Sequence, residues 1–345
     1  LTDSKGKRYI DLTSGIGVTS VGHANARLSS AISEQLLKIT HISNLYHIAP
    51  QAKAAELLVK SSGYDMQCFF GNSGAEANEG AIKIARKYGE LNGEIKKYKI
   101  ITLNHSFHGR TITTVKATGQ ESMHNYFGPF PDGFVYADSI DDIKNLLDDH
   151  TCAVMIELVQ GEGGVQLQDK AQVKALEKLL KEKDILLIVD EVQTGAYRTG
   201  KFLASNVYDL NPDIITLAKG IGGGVPIGVV MTSLKDVLSA GDHGSTFGGN
   251  YLSSTATIEV LNILNELYIS GEIEKTIDYF NAKLEVFYEN NKSIFLKKVG
   301  IGLMCGLRVK DSDTLNDIIL SAKKNGVMVL KAGRNTLRFL PAITI

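Results

Sequence analysis

The sequence predicts an α/β protein with a mostly parallel sheet covered by helices, followed in the chain by a smaller α+β domain. Short apolar runs such as Ile185–Val189 and Ile214–Ala218 show no alternation, which is typical of strands buried on both faces of a parallel sheet. From about Met66 to Met231 such runs alternate with helical segments, the order that produces parallel sheets. No repeat or low-complexity tract interrupts this alternation.

Composition restricts the class of protein. The 345 residues suffice for one large domain or two ordinary ones, and 43% hydrophobic with 22% charged residues is typical of a soluble globular chain. A net charge of −1 argues against nucleic acid or an anionic membrane as a partner. The three widely spaced cysteines match no disulfide framework or zinc motif, so we predict a reducing, cytoplasmic location. We also expect both ends of this sequence to be trimmed.

The chain begins with a predicted strand at Arg8–Leu12 and a helix at Leu28–Ile39. The polar and aromatic segment 41–46 follows and either lines a pocket or only connects two helices. An apolar run from Met66 then stops at a turn of small residues, and a helix extends from there to Glu90. Backbone N–H groups at such a helix start can bind a phosphate, although many similar turns bind nothing.

Two further predicted strands also end in residues that can bind ligands. Lys99–Leu103 leads into a loop in which Phe107 can stack on a flat cofactor and Arg110 can hold a carboxylate. The histidines of this loop lack a nearby acidic or cysteine ligand set, so we predict no metal site. The strand Cys152–Leu158 precedes a glycine-rich turn containing Glu162, which is either functional or a solvated loop carboxylate.

The residues with the clearest chemical meaning are Asp190 and Lys219, each of which ends a buried strand. Ligands of parallel sheets bind beyond the carboxyl ends of the strands, so we expect these two side chains to converge. An amine in a dry pocket becomes a nucleophile toward an aldehyde, and a carboxylate can hold a proton on a ring nitrogen. Pyridoxal phosphate requires this pairing. The structural alternatives are a turn-capping aspartate and a solvated surface lysine.

The remainder of the chain is predicted to leave the large sheet and form the smaller domain. Residues 226–231 are predicted as one more strand of the large sheet, and residues 243–250 as a loop with hydroxyls free for ligands. Two long helices are predicted next, over Leu252–Tyr268 and Glu272–Tyr288. The strand, helix, strand, strand order of the smaller domain is predicted for the segments Gly300–Val309, Thr314–Lys324, Val327–Leu330 and Thr336–Leu340.

Seven motifs occur in the order found in class III pyridoxal-phosphate aminotransferases: FFGNSGAEANEGAIKIARKYG (69–89), HSFHGRT (105–111), VQGEGG (159–164), IVDEVQTG (188–195), PDIITLAKGIGGG (212–224), HGSTFGGN (243–250) and LRFLP (337–341). The resemblance covers essentially the whole chain and is greatest to the branch that acts on acetylornithine. It implies aminotransferase fold type I, with a seven-stranded sheet in a large cofactor-binding domain at 46–262. Residues 1–45 and 263–345 would form the small domain.

The resemblance also implies roles for individual residues. Lys219 matches the lysine that bonds to the cofactor, and Asp190 matches the aspartate at its ring nitrogen. The other residues expected to contact the cofactor are Ser73, Gly74, Ala75, Phe107, His108, Val192, Gln193 and Thr246, the threonine acting from the second subunit of a homodimer. The residues expected to contact the substrate are Arg110, Glu162, Arg338, Asn44, Tyr46 and Ser245.

The implied activity is transfer of the terminal amino group of N2-acetyl-L-ornithine to 2-oxoglutarate, in arginine biosynthesis. Glu162 and Arg338 resemble a gating pair in which the glutamate covers the arginine while the amino donor is bound. Ornithine, succinylornithine, 4-aminobutyrate or diaminopelargonate would use nearly the same cofactor residues. A nucleotide-binding protein is disfavoured because the turn at 71–75 lacks a GxxxxGK[ST] pattern. A catalytically silent homologue is disfavoured because Lys219 and Asp190 are both present.

Several positions depart from the usual family pattern. None of them is Lys219 or Asp190, the two residues expected to perform the chemistry. They are Ala75 in place of threonine, Leu158 in place of proline, Ala196–Tyr197 in place of Met-Gly, and Tyr251 and Ala342 in place of proline.

Overall fold

The computed structural model describes residues 1–91, 93 and 95–345. Its strands are β1 Ile10–Asp11, β2 Gln67–Gly71, β3 Lys99–Leu103, β4 Phe134–Ala137, β5 Thr151–Ile156, β6 Val159–Gln160, β7 Gln166–Leu167, β8 Leu186–Asp190, β9 Ile214–Ala218, β10 Gly228–Thr232, β11 Phe295–Ile301, β12 Met304–Val309, β13 Val327–Met328, β14 Leu330–Ala332 and β15 Thr336–Phe339. Its helices are α1 Ser14–Gly17, α2 Ala26–Leu36, α3 Ala49–Ser62, α4 Gly74–Leu91, α5 Ile112–Ala117, α6 Ile140–Leu146, α7 Lys170–Glu182, α8 Ala204–Tyr208, α9 Tyr251–Ile269, α10 Glu272–Glu289 and α11 Ser312–Lys324. Two short 3₁₀ helices are found at Glu121–Met123 and Lys219–Ile221.

A seven-stranded sheet has the order β2-β10-β9-β8-β5-β3-β4. The strands from β9 to β4 pair in parallel, and only β10 runs antiparallel to its two neighbours. The three central strands β5, β8 and β9 are buried along their whole length, which explains their unbroken apolar sequences. The predicted mostly parallel, seven-stranded sheet is therefore confirmed.

Helices cover both faces of this sheet. On one face, Leu176 and Leu180 of α7 pack in a cluster with Ile156 and Val189 of the strands. On the other face, α4 contributes Ala81, Ile82, Ile84 and Ala85 to a second cluster. A third cluster joins α9 to α2 and α3, through residues that include Val260, Leu28 and Leu58. Packing on both faces leaves the carboxyl edge of the strands as the open side on which a ligand can bind.

A smaller antiparallel sheet has the order β11-β12-β15-β14. The prediction of one strand over Gly300–Val309 was wrong, because the chain reverses between Ile301 and Met304 and forms a hairpin. Gly302 makes this turn with a φ of 62°. Val327–Leu330 is likewise divided between β13 and β14, and β13 pairs in parallel with the N-terminal strand β1.

Most predicted elements have the expected type, with ends that differ by one to three residues. The strands Lys99–Leu103 and Ile214–Ala218 have the predicted bounds. The elements that were not predicted include strand β4 and helix α6, which are only four and seven residues long and lack a long periodic pattern. The three cysteines are free thiols. Within the described residues, no helix combines the length and apolar character needed to cross a membrane.

Candidate active site

Four neighbouring strands deliver polar residues to one cavity of about 440 Å³. Lys219 follows β9, Asp190 ends β8, Glu157 follows β5, and the loop 104–111 follows β3, in the same order as the strands in the sheet. The carboxyl ends of parallel strands share one edge, so this convergence follows from the topology. The cavity is lined by Val18, Asn72, Ser73, Gly74, Ala75, Asn78, Phe107, His108, Gly109, Arg110, Glu157, Glu162, Asp190, Val192, Gln193, Ala218, Lys219, Gly224, Val225, Pro226 and Ile227.

The Asp190 side chain is 4% exposed and held by three groups. The Asn78 amide donates to Oδ2 at 2.8 Å, and His108 Nδ1 lies 2.8 Å from the same oxygen. The Val192 backbone N–H donates to Oδ1 at 3.0 Å. A carboxylate oxygen accepts two hydrogen bonds, so Oδ1 retains one acceptor site. Asp190 is therefore a rigidly held acceptor rather than a turn cap alone.

Lys219 adopts a left-handed backbone conformation with φ 47° where β9 ends. This conformation is uncommon for a residue with a side chain and is often found at functional sites. The amine lines the cavity, and burial lowers the pKa of Lys219 despite the opposing charges of Asp190 and Glu162. A lowered pKa leaves more of the amine neutral and nucleophilic near neutral pH. The alternative of a solvated surface lysine is wrong.

The start of helix α4 forms one wall of the cavity. The Ser73 hydroxyl accepts from the Glu76 N–H at 3.2 Å, which caps the helix. The N–H groups of Gly74 and Ala75 belong to the first helical turn and have no intrahelical partner. A Cβ atom at Gly74 would lie 2.7 Å from Val192 Cγ1, so only glycine allows this close approach. The geometry is that of an anion site at a helix N-terminus.

The loop after β3 places an aromatic ring and a cation beside the cavity. The Arg110 guanidinium lies 5.6 Å from the centre of the Phe107 ring, within the range of a cation–π contact. Arg110 is exposed, and no carboxylate in the described part of the chain lies within ion-pair distance of it. His108 is buried behind them against Asp190. Arg110 is thus a cation available to a carboxylate ligand.

Glu162 and Arg338 form an ion pair next to the cavity. Arg338 Nη1 donates to Glu162 Oε1 at 2.8 Å and lies 3.2 Å from Gln193 Oε1. Arg338 is 2% exposed, whereas the Glu162 side chain is 29% exposed. The buried cation is held by strand β15, and the more exposed carboxylate is on the turn between β6 and β7. The turn contacts the small sheet closely, since the Gly333 N–H donates to the Glu162 carbonyl at 2.8 Å.

The cavity-lining residues missed at the sequence level include two that hold other cavity residues in place. Asn78 donates to both Asp190 and the His108 carbonyl, the latter at 2.7 Å. Glu157 accepts from the Phe107 N–H at 2.9 Å and is 6% exposed. A signal for Glu157 was present, because it follows a buried strand as Asp190 ends one. Asn78 carries only a helical spacing of four residues from Gly74, which is too common to identify it.

Four other predicted site residues do not line the cavity in this chain. Asn44, Ser245 and Thr246 line a separate surface region, here called the outer depression, and Tyr46 lies exposed near it. The Asn44 amide donates to the carbonyls of Ser245 at 2.9 Å and Gly248 at 3.0 Å. The Ser245 hydroxyl accepts from the Asn72 amide at 3.1 Å, which links the outer depression to the cavity wall.

The departures from the family pattern are accommodated locally. Ala196 and Tyr197 both have left-handed φ angles, 57° and 65°. The Tyr197 ring packs 5.5 Å from Phe202 and 4.8 Å from Tyr268, and its hydroxyl donates to Asn265. Leu158, Tyr251 and Ala342 make no direct contribution to the cavity lining.

Comparison with known proteins gives consistent results. The aminotransferase class-III family matches residues 1–345. The chain is 60% identical to acetylornithine aminotransferase of Wolinella succinogenes, over 100% of this chain and 88% of that protein. It is 44% identical to acetylornithine aminotransferase of Caldanaerobacter subterraneus, over 99% of this chain and 87% of that protein. The crystal structure of ornithine aminotransferase from Toxoplasma gondii superposes with a TM-score of 0.93 at 34% identity, covering 100% of this chain and 84% of that one.

The residues of the cavity fit pyridoxal phosphate, the cofactor of class-III aminotransferases. Lys219 supplies an amine of lowered pKa, and Asp190 retains an acceptor site for a ring N–H. The α4 start lacks a Cβ at Gly74 and leaves backbone donors for a phosphate. Family match, fold and cavity chemistry agree, and the chain belongs to the class-III aminotransferases, the pyridoxal-phosphate-dependent transaminases.

Proposed function

We propose that this enzyme transfers the terminal amino group of N2-acetyl-L-ornithine to 2-oxoglutarate, producing N-acetyl-L-glutamate 5-semialdehyde and L-glutamate in arginine biosynthesis. The observation that supports this proposal most strongly is the pairing of Arg338 with Glu162, beside a second cation, Arg110, that has no ion-pair partner among the described residues. Acetylornithine has one carboxylate, distant from its reacting amine, whereas 2-oxoglutarate has a carboxylate at each end. One permanently available arginine and one covered arginine match this difference. The relatives at 60% and 44% identity are both acetylornithine aminotransferases, which supports the choice.

In this proposal the two arginines have different tasks. Arg110 binds the carboxylate common to the donor and the acceptor. While the donor is bound, Glu162 pairs with Arg338 and neutralises its charge. Arg338 is then not left as an unpaired cation facing the reacting end of the donor, which carries no carboxylate. When 2-oxoglutarate enters, its second carboxylate replaces that of Glu162 on Arg338. The 29% exposure of Glu162 and the 2% exposure of Arg338 support a mobile carboxylate over a fixed guanidinium.

The residues of the cavity also divide the proton transfers among them. Pyridoxal phosphate, when bound, accepts the amino group and the electron pair released as the substrate C–H bond breaks. Lys219, the amine of lowered pKa, would move the proton from that carbon to the cofactor in the donor half-reaction, and from the cofactor to the acceptor carbon in the other. Asp190, whose Oδ1 retains an acceptor site, would accept the ring N–H and hold that proton in place. His108 and Asn78 keep the Asp190 carboxylate oriented. Gly74, Ala75 and Ser73 would hold the phosphate, and Phe107, Val192 and Gln193 would contact the ring.

We also propose a homodimer in which Thr246 of one subunit completes the phosphate site of the other. Thr246 lines the outer depression rather than the cavity of its own chain. Exposed apolar side chains surround this region: Leu45 is 89% exposed, Tyr46 69% and Phe247 60%. Exposed apolar groups of this size favour contact with another protein surface. Asn44, Tyr46 and Ser245 would then lie near the substrate of the partner subunit.

The division of the chain into residues 1–45, 46–262 and 263–345 is part of the same proposal. Pairing of β1 with β13 supports an N-terminal segment that joins the small domain. Helix α9 continues across the proposed boundary at residue 262. A cytoplasmic location stays a prediction.

Ornithine is the second candidate donor, because the structure that superposes at a TM-score of 0.93 is an ornithine aminotransferase. Ornithine carries a charged α-amino group where acetylornithine carries a neutral amide. A site made for the amide would leave that extra charge without a partner. The two donors therefore differ by a property that affinity can measure.

The test is a panel of half-reactions with the cofactor-loaded enzyme and four donors: acetylornithine, ornithine, succinylornithine and 4-aminobutyrate. Conversion is followed as loss of the visible absorbance of bound pyridoxal phosphate. We expect acetylornithine to react with a second-order rate constant at least about tenfold above that of ornithine, equivalent to roughly 1.4 kcal/mol. Fastest conversion by ornithine or by 4-aminobutyrate would contradict the proposed substrate.

A further inference from the structure

Within the described residues, two glutamates are buried near the carboxyl edge of the sheet, and their surroundings differ. Glu191 accepts from four groups: the Thr194 hydroxyl, the Ala204 N–H and both the N–H and the hydroxyl of Ser205. Glu157 accepts a single described hydrogen bond, from the Phe107 N–H to Oε2 at 2.9 Å. Glu157 also lines the cavity, which Glu191 does not. Its four hydrogen bonds account for the burial of Glu191, whereas the burial of Glu157 has no such local explanation.

The position of Glu157 follows from the order of strands in the sheet. Strand β5 lies between β8, which ends at Asp190, and β3, which leads into the loop of Phe107 and His108. The Glu157 carboxyl group therefore lies between the residue proposed to hold the ring nitrogen and the loop proposed to cover the ring. Arg110 belongs to the same loop and stacks on Phe107.

We propose that Glu157 is a positioning residue for the reaction: its carboxyl group holds the Phe107–Arg110 loop in place and sets a second negative charge beside the His108–Asp190 pair. The inference rests on the proposed function for its catalytic meaning. Its structural content concerns only residues of this chain. Through the loop, Glu157 acts on Phe107 and Arg110. Through its charge, it interacts electrostatically with His108 and Lys219.

The charge of Glu157 is expected to change near neutral pH. Burial raises the pKa of Glu157 to about 7, with Asp190 adding to the rise and His108, the Phe107 N–H and Lys219 opposing it. The other charged groups of the cavity are Arg110 and Glu162, and Arg338 contacts Glu162. Asp190 is held by three hydrogen-bond partners, whereas Glu157 has one described partner.

Two variants of Glu157, one nearly isosteric and one shortened, separate its hold on the Phe107–Arg110 loop from the effect of its charge. Glu157→Gln keeps an oxygen that can accept from the Phe107 N–H but removes the charge. Glu157→Asp keeps the charge but withdraws the oxygen from the Phe107 N–H. Glu182→Gln is the control, because Glu182 is an exposed glutamate of α7 whose only described ion pair, with Lys178, is 3.9 Å long.

The first readout is thermal unfolding of the cofactor-free protein between pH 5 and pH 8. The folded-state pKa of Glu157 is raised from 4.5 to about 7, so its stabilising contribution is present below the unfolded value and is lost as the pH rises through the folded value. Glu157→Gln lacks this loss. We expect its melting temperature to rise relative to wild type by roughly 3 to 6 °C across this range. Glu157→Asp and Glu182→Gln should keep a pH dependence close to that of wild type.

The second readout is amide hydrogen exchange of peptides that contain Phe107, again in the cofactor-free protein. Glu157→Asp should increase the exchange rate about tenfold, whereas Glu157→Gln should leave it nearly unchanged. In the loaded enzyme, the pH profile of kcat should lose an inflection near pH 7 in Glu157→Gln only.

The inference is overturned if Glu157→Gln has the same pH dependence of unfolding and of kcat as wild type, or if Glu157→Asp leaves exchange at Phe107 unchanged. The cofactor-free measurements do not depend on the substrate. A failure there with normal acetylornithine turnover would refute the role of Glu157 alone. Success there without transamination would instead refute the proposed function.

Discussion

Residues of the cavity and residues of the outer depression were both predicted to contact ligands, yet the two regions are built differently. In the cavity, the ends of three adjacent strands deliver Lys219, Asp190 and Glu157, and the last two are almost fully buried. In the outer depression, the Asn44 amide donates to the backbone carbonyls of Ser245 and Gly248, and the apolar side chains of Leu45, Tyr46 and Phe247 are exposed. The cavity contains its chemical groups within one chain. In the proposed homodimer, side chains of the outer depression would instead complete the site of the partner subunit.

In the proposed function, this difference separates residues that perform chemistry from residues that complete the site of a partner subunit. Buried charges are costly unless they are paired or hydrogen-bonded, so the cavity groups are held by specific partners such as Asn78 and His108. A loop hydroxyl at the surface has no such requirement and can be lost at small cost. We therefore expect substitutions in the cavity to have far larger effects than substitutions in the outer depression.

The largest effect is expected from Lys219→Ala. Loss of the only amine that lines the cavity among the described residues should lower kcat by about 10⁴-fold or more, because no other group there can act as nucleophile and proton carrier. Steady-state transamination measures this, with absorbance spectra to follow cofactor binding. Lys235→Ala, at an exposed lysine paired with Asp65, is the matched control and should retain full activity. Multiple turnover by Lys219→Ala at a rate near that of wild type would refute the assignment.

Asp190→Asn should be the next most severe. The substituted amide carries no charge. It also presents N–H groups toward Asn78 and His108, which in the wild-type chain donate to the Asp190 carboxylate. We expect kcat to fall about 10²- to 10³-fold while the chain still folds. Circular dichroism would verify folding and steady-state kinetics would measure the loss. An Asp190→Asn enzyme with kcat within about threefold of wild type would mean that the buried carboxylate is structural.

Arg338→Gln tests the gate at the border of the cavity. It should lower kcat/KM for 2-oxoglutarate by about 10²-fold, because the acceptor loses a buried charge partner. The half-reaction with acetylornithine should change much less, since Glu162 covers Arg338 in that state. Arg334→Gln, an exposed position on the same hairpin, is the control. Equal losses in both half-reactions would indicate that Arg338 serves the fold rather than the choice of substrate.

Thr246→Ala should have the smallest effect. One hydroxyl hydrogen bond to a phosphate corresponds to about 0.5–1.5 kcal/mol, so the dissociation constant of pyridoxal phosphate should rise roughly 3- to 10-fold. Thr246→Ser should restore the affinity. The loss should be seen at protein concentrations at which sedimentation detects dimers, and it should vanish for monomers. An equal loss in monomers would show that Thr246 acts within its own chain.

The strand ends explain why so much of the cavity was predictable. A buried parallel strand is an unbroken apolar run, so the single charged residue at its end, such as Asp190 or Lys219, is visible in the sequence. The helix start at Ser73 and Gly74 is visible for a similar reason, because capping and close approach require small residues. Glu157 also follows a buried strand and could have been identified in the same way, but it was predicted only as part of the strand Cys152–Leu158.

Other features depend on which strands become neighbours. The hairpin at Gly302 was hidden inside a continuous apolar segment, because a tight turn changes the chain direction without interrupting the hydrophobic pattern. Asn78 contacts Asp190 across 112 positions of the chain, and Arg338 contacts Glu162 across 176. Without the family resemblance, no local pattern could pair them, since such contacts depend on the path of every intervening element.

Local residue order therefore established the α/β class, the strand ends and the chemical types of Lys219 and Asp190. The folded chain decided which of these residues meet, how deeply each is buried and in which direction the pKa of Lys219 and of Glu157 is shifted. The physical reason is range. Backbone conformation and hydrophobic periodicity arise within a few residues, whereas burial and electrostatic interaction are properties of the packed interior.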